Sequence, residues 1–89
     1  MRLIYCVEDE AGIRELITLA LSTADFEVKG FEDAAALYAE MKNRLPDLIL
    51  LDLMLPKTDG MTILKELKNS SEYKNIPVII LTAKSLELD

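Results

Sequence analysis

The feature that most constrains the fold is an alternation of two hydrophobic periodicities along the chain. Short continuous apolar runs are typical of strands covered on both faces, whereas apolar residues at steps of three and four are typical of amphipathic helices. The two patterns follow each other in the order β-α-β-α-β-α-β. Because strands that alternate with helices favour a parallel sheet with right-handed crossovers, the sequence predicts a doubly wound α/β fold.

Residues with strong local preferences bound these segments. The predicted strands are Leu3–Val7, a segment around Phe26 and Val28, Leu48–Leu51 and Ile76–Leu81. The predicted helices carry apolar stripes over Ile13–Ala24, Ala34–Met41 and Met61–Leu67. Asp33 is placed to cap the second helix, Asp25 breaks the first helical pattern, and Pro46 ends the second unit. The second strand alternates with charged residues, which predicts one less buried face.

The size and charge of the chain argue against several classes of protein. Its 89 residues suffice for one domain, expected to span residues 1–89. No apolar run approaches the roughly 20 residues that cross a bilayer, and the amino-terminal segment lacks the long apolar stretch of a secretory signal. We therefore expect a cytoplasmic protein with no membrane partner. The net charge of −6 argues against nucleic-acid binding and suits a metal cation or a basic partner.

The lone cysteine, Cys6, lies inside the first apolar run. It cannot form an internal disulfide, and the chain has no histidine or second cysteine with which to build a zinc site. A buried structural thiol is the expected role, and redox sensing is the alternative.

Polar residues follow three of the four predicted strands, at the edge where parallel sheets bind ligands. Glu8, Asp9 and Glu10 follow the first strand, Asp52 the third and Thr82 the fourth. If the first and third strands are neighbours, about 5 Å apart, Asp9 and Asp52 approach closely. Clustered carboxylates repel one another unless a cation intervenes, and Mg²⁺ is the usual hard intracellular cation. The alternative is that the first three acids only cap the first helix.

Asp52 ends an apolar run, where a charge is costly unless it is paired or used. A carboxylate beside Mg²⁺ can act as a nucleophile and form an acyl phosphate. The alternative is a turn or capping aspartate. The Thr82 hydroxyl and the Ala83 backbone N–H could each donate a hydrogen bond to a phosphoryl oxygen, although β-branched residues favour strands in any case. Asp59-Gly60 is a turn signal that requires no chemistry.

These residues resemble the receiver domain of bacterial response regulators. The likeness rests on Glu8-Asp9 after the first strand, Asp52 in LLDLMLPKTDG, the proline and glycine of the following loop, and Thr82 in IPVIILTAK. It runs in register from Leu3 to Lys84, nearly the whole chain.

The resemblance implies a phosphoacceptor that takes a phosphoryl group from a sensor histidine kinase onto Asp52. It implies that Asp9, Asp52 and the backbone carbonyl of Met54 bind Mg²⁺ directly, with Glu8 acting through water. Thr82 would contact the phosphoryl group and report its presence to a distant surface. Met54 and Lys84 fall where the family adjusts the lifetime of its acyl phosphate. The expected module is regulatory and not an enzyme, apart from self-phosphorylation and autodephosphorylation.

One departure from the family is expected to matter. The family fold is flavodoxin-like, with five strands in the order 2-1-3-4-5, and this sequence offers no fifth strand or fifth helix. The lysine that pairs with the phosphoryl group and the aromatic switch residue would lie there, and Lys84 is in the wrong place to substitute. The fourth strand would then be an exposed apolar edge and the sheet face partly uncovered, so a homodimer is expected.

Two other functions compete with a working receiver. The first is a fragment of an aspartyl phosphatase, but those enzymes place a second aspartate two residues after the nucleophile, where this chain has Met54. The second is a truncated receiver that folds or oligomerises but does not hold phosphate.

Overall fold

The computed structural model describes residues 1–55 and 59–81, which form four strands and three helices. The strands are β1 (Leu3–Val7), β2 (Glu27–Phe31), β3 (Leu48–Asp52) and β4 (Val78–Leu81). The helices are α1 (Ala11–Ser22), α2 (Ala34–Met41) and α3 (Gly60–Asn69). This order confirms the predicted alternation. No fifth strand or helix lies among the described residues, and none of their helices is long and apolar enough to cross a bilayer.

All the strand pairs are parallel, and the sheet has the order β2-β1-β3-β4. In the register, Leu3 pairs with Glu27 on one side of β1, and Ile4 pairs with Leu48 on the other. Every residue of β1 is buried, as expected of a strand with neighbours on both edges and helices over both faces. The predicted doubly wound arrangement is therefore confirmed. It places the carboxyl ends of β1 and β3 side by side.

Alternating side chains of β1 enter two separate hydrophobic clusters. The larger cluster takes three residues from β1, which are Leu3, Tyr5 and Val7. Helix α2 adds Leu37 and Met41 to this cluster, and α3 adds Ile63 and Leu67. Ile4 and Cys6 pack with Leu50 on the opposite face, where α1 adds Ile17 and Leu21. The sheet thus has two described helices over one face and one over the other.

The face covered by α1 carries an open apolar groove of about 400 Å³. Its apolar wall is formed by Ile4, Leu21, Phe26, Leu48, Leu50 and Ile79. Arg2 and Asp47 add one charge of each sign to the lining. Ile79 is 51% exposed, a large value for isoleucine in a sheet.

Several predicted boundaries have clear physical causes in the structure. Asp33 caps α2 by accepting a 2.9 Å hydrogen bond from the backbone N–H of Ala36. Asp25 interrupts the chain after α1 with a φ of 69°, in the left-handed region that aspartate tolerates better than most residues. The fourth strand begins at Val78, two residues later than predicted. Pro77 has no N–H to donate, and only its carbonyl joins the ladder by accepting from Ile49.

The predicted inward stripe of α3 was partly wrong. Met61 is 42% exposed, and the buried positions are Gly60, Ile63 and Leu67. The helix is rotated so that Gly60, the residue without a side chain, faces the sheet, and Ile63 and Leu67 then follow at helical spacing.

We expect Cys6 to be protected from alkylation in the native state. The side chain is completely buried, and burial, followed by the charge of Glu8, raises the pKa of the thiol to about 11. Labelling by iodoacetamide should be more than about a hundredfold slower in buffer than in denaturing urea, because it requires opening of the central sheet. Mass spectrometry of timed samples measures both rates. Similar rates in the two conditions would contradict the structural role.

Candidate functional site

Three carboxylates converge at the carboxyl edge of the sheet. Glu8 and Asp9 directly follow β1, and Asp52 is the last residue of β3. The two strands are hydrogen-bonded neighbours in which Val7 pairs with Leu51. One carboxylate oxygen from each of the three acids lies within 4.8 Å of the others. The predicted approach of Asp9 and Asp52 is therefore present in the structure.

Glu8 is the most constrained of the three acids. Its residue is 7% exposed, and its Oε2 accepts a 3.1 Å hydrogen bond from the backbone N–H of Glu10. Burial raises the pKa of the Glu8 carboxyl most strongly; the Glu10 hydrogen bond lowers it and the charge of Asp52 raises it further. Glu10 itself occupies the N-cap of α1 without a side-chain capping bond. The side chain of Glu10 therefore does not cap α1.

Asp52 is also buried, at 7% exposure. Its Oδ1 accepts a 2.9 Å hydrogen bond from the backbone N–H of Met54, which fixes the rotation of the carboxyl group. The ion pairs among the described residues join Lys29 to Glu40 and Arg44 to Glu27, so no described cationic side chain forms an ion pair with the cluster.

The donor set suits a hard divalent cation. Two buried carboxylates and one exposed carboxylate, Asp9, lie close together, and none of the three forms an ion pair with a described cationic side chain. Oxygen ligands of this kind bind Mg²⁺, Mn²⁺ or Ca²⁺, and an ion between them would offset the repulsion of the charges. Asp9 is open to solvent, which gives an ion a route of entry.

The structure describes only some of the remaining predicted site residues. Met54 lies two residues beyond Asp52 and is 50% exposed. Leu81, the last residue of β4, pairs with Asp52. Thr82, Ala83 and Lys84 lie outside the described residues, as does Pro56 of the loop after β3.

Gly60 supports the Asp52 backbone, which the sequence interpretation did not anticipate. A Cβ added at this position would lie 2.5 Å from Leu53 Cα and 2.8 Å from the carbonyl oxygen of Asp52. The Gly60 N–H also donates to the Leu53 carbonyl at 3.3 Å. The start of α3 therefore touches the backbone that carries Asp52, and only glycine permits this approach. The Asp59-Gly60 pair signalled a turn, but nothing in that signal reveals the contact.

A further contact at this edge involves Arg14 of α1, whose guanidinium donates to the backbone carbonyl of Glu8 at 2.7 Å. Arg14 lies on no apolar stripe and in no acidic motif, so its sequence context gave no reason to single it out.

Comparison with known proteins identifies the class to which this fold and site belong. The family model of the response regulator receiver domain matches residues 4–88. The chain belongs to this family, whose members are regulatory phosphoacceptor modules of two-component signalling.

Individual relatives agree with this assignment. The phosphate regulon transcriptional regulatory protein PhoB of Pseudomonas aeruginosa is 45% identical over 84 residues, which cover 94% of this chain and 37% of PhoB. The chain thus spans little more than a third of that relative's length. The Mn²⁺-bound form of response regulator Rcp1 has a TM-score of 0.82 and 38% identity, covering 92% of this chain and 66% of that one. The phosphorylated cyanobacterial phytochrome response regulator RcpA has a TM-score of 0.79 and 38% identity, covering 91% and 64%.

We expect Gly60→Ala to destabilise the protein, because the new methyl group would collide with the Asp52–Leu53 backbone. The free energy of unfolding should fall by about 1–3 kcal/mol, the usual cost of overpacking. Gly12→Ala is the matched control: a Cβ there meets nothing within 4 Å, and alanine favours the helix. Urea unfolding followed by circular dichroism measures both. Equal stability of the two variants would show that the close approach is not required.

Proposed function

We propose that Asp52 accepts a phosphoryl group from the phosphohistidine of a sensor histidine kinase in a reaction assisted by Mg²⁺. The observation that carries the proposal is the cluster of Glu8, Asp9 and Asp52, whose oxygens lie within 4.8 Å at the carboxyl edge of the sheet. Family membership supports a phosphoacceptor. The phosphorylated state of RcpA and the Mn²⁺ ion of Rcp1 belong to those relatives and support the same chemistry for this chain.

The proposed metal ligands are Asp9, Asp52 and the backbone carbonyl of Met54, with Glu8 acting through water. This division agrees with the positions of the side chains, since Glu8 is already engaged by the Glu10 N–H and Asp9 is open to solvent. When bound, a divalent cation supplies positive charge that offsets the negative charge of the phosphoryl oxygens.

In the proposed step, Asp52 acts as the nucleophile. A lone pair of its carboxylate forms an O–P bond while the N–P bond of the phosphohistidine breaks, and the leaving imidazole nitrogen keeps that electron pair and takes up a proton from solvent. The Met54 N–H holds Oδ1, so the carboxylate is oriented before the donor arrives. The Thr82 hydroxyl and the Ala83 N–H are proposed to donate hydrogen bonds to the transferred group, and Thr82 to relay its presence to the surface.

The proposed partner is a sensor histidine kinase, and the proposed compartment is the cytoplasm. Family membership supports the kinase, because receiver domains pair with histidine kinases. We propose that this segment itself holds no nucleic acid, in keeping with its net charge of −6. The transcriptional regulatory role in PhoB's name belongs to that whole relative, which is much longer than this chain.

Asp52→Asn should abolish phosphorylation by a small acyl-phosphate donor in the presence of Mg²⁺. We expect the parent chain to gain one phosphoryl group by intact mass and the variant to gain none, because an amide is not a comparable nucleophile. Asp25→Asn is the matched control: it removes an exposed carboxylate between α1 and β2, and asparagine tolerates the same positive φ. Labelling retained in Asp52→Asn would exclude Asp52 as the acceptor. Absence of labelling in the parent would leave a receiver that folds but does not hold phosphate.

We also propose that this chain forms a homodimer through the groove on the α1 face. The apolar wall of that groove is open, and Ile79 of β4 is half exposed. Arg2 and Asp47 carry opposite charges in the same lining, so a two-fold axis that passes between them would bring Arg2 of each copy to Asp47 of the other.

Ile79→Glu should shift this chain toward a monomer, because it places a charge in the apolar contact. Sedimentation velocity over a concentration series measures the shift. Leu16→Glu is the control, since Leu16 is 66% exposed on α1 and outside the groove lining. A parent chain that sediments as a monomer at every concentration would contradict the dimer.

A further inference from the structure

Arg14 connects α1 to the two residues that carry the first carboxylates of the site. Its Nη1 donates to the carbonyl of Glu8 at 2.7 Å and lies 3.5 Å from the carbonyl of Asp9. The first is a short charge-assisted hydrogen bond, and the second is at the limit of hydrogen-bonding distance. Both acceptors are backbone atoms of the turn between β1 and α1.

The path of this side chain depends on Gly30 of β2. A Cβ added at Gly30 would lie 2.7 Å from Cγ and 2.8 Å from Cδ of Arg14. These atoms are in the middle of the side chain, so admitting a methyl group requires the stem of Arg14 to shift and disturbs the position of its guanidinium. Gly30 pairs in the register of the sheet with Cys6, and Cys6 lies two residues before Glu8 in the chain. The space left by the missing side chain is therefore where the Arg14 stem reaches the end of β1.

The turn that carries Glu8 and Asp9 is thus held from two directions. From β2, the Phe31 carbonyl accepts a 2.9 Å hydrogen bond from the Glu8 N–H. From α1, Arg14 binds the Glu8 carbonyl. Among the described residues, Arg14 makes no ion pair with a carboxylate. It therefore fixes the backbone of the two acids and leaves their side-chain oxygens available for a cation.

We infer that Arg14 is a positioning residue for the divalent-cation site, and that Gly30 is the position that admits it. This inference rests on the proposed function, because it concerns the same acidic cluster. The contact of Arg14 with the turn between β1 and α1 holds Glu8 and Asp9 in the geometry that faces Asp52. Loss of groups that orient metal ligands typically weakens metal binding by about ten- to a hundredfold.

Simple electrostatics predicts the opposite change in cation affinity when Arg14 is removed. Arg14 carries a positive charge beside a site for a cation, so its removal makes the local potential more negative and should tighten cation binding. A positioning role predicts weaker binding. The direction of the change therefore separates the two roles without any assumption about magnitude.

The test is a double-mutant cycle on Mg²⁺ affinity, measured by isothermal titration calorimetry with the chain at neutral pH. We expect Arg14→Ala and Gly30→Ala each to weaken Mg²⁺ binding by about tenfold. In the Arg14→Ala background, Gly30→Ala should cause no further loss, because the new methyl group then has no side chain to displace. Arg14→Lys, which keeps a cationic donor on a flexible stem, should recover part of the affinity.

A readout without metal accompanies the cycle. The amide proton shifts of Asp9 and Glu10 should change in Arg14→Ala and in Gly30→Ala, and thermal melts confirm that each variant is folded. Unchanged or tighter Mg²⁺ binding in a folded Arg14→Ala variant would overturn the inference, as would fully additive losses in the cycle. A parent that binds no Mg²⁺ would overturn the proposed metal site and this inference with it. A parent that binds Mg²⁺, with Arg14→Ala equal to it, would overturn this inference alone.

Discussion

The rest of the structure depends on the pairing of β1 with β3. It is a contact between two of the most apolar segments of the chain, with Tyr5, Val7, Ile49 and Leu51 all fully buried. The hydrophobic effect that joins these strands also brings their carboxyl ends together, and with them Glu8, Asp9 and Asp52. The carboxylates oppose this arrangement by mutual repulsion. The apolar contact is therefore the force that holds an electrostatically unfavourable cluster in place, as binding sites for cations require.

Two acids elsewhere in the structure are paired with cationic side chains. Glu27 and Glu40 are paired with Arg44 and Lys29 on the surface, where such pairs add little to stability. The acids at the carboxyl edge have no such cationic partners among residues 1–55 and 59–81. Arg14 lies close to these acids, but its guanidinium binds a backbone carbonyl oxygen and forms no ion pair with their carboxylates. Glu8 and Asp52 are thus buried acids without an ion pair among the described residues, which leaves their charges available to a ligand.

Periodicity along the sequence predicted the order of the elements. The order of the strands in the sheet was implied only by the family resemblance, and the approach of Asp9 to Asp52 was predicted on the condition that the first and third strands are neighbours. The sequence also predicted the cap at Asp33, which is a local interaction. Gly60, Arg14 and the rotation of α3 could not be predicted in this way. Each depends on a contact between distant segments, Gly60 with the β3 end and Arg14 with Gly30 of β2. Such contacts leave no periodic trace, and Met61 and Ile63 are equally apolar on a sequence basis.

The central position of β1 also determines the order in which the protein can assemble during its synthesis. β1 leaves the ribosome first but pairs on one side with β2 and on the other with β3, which begins only at Leu48. β1 can therefore complete its pairing only after β3 has been translated, and until then one of its edges has no strand partner. Asp52 is the last residue of β3 to emerge from the ribosome. The cluster of mutually repelling carboxylates therefore forms only after the apolar strand that offsets their repulsion has been translated.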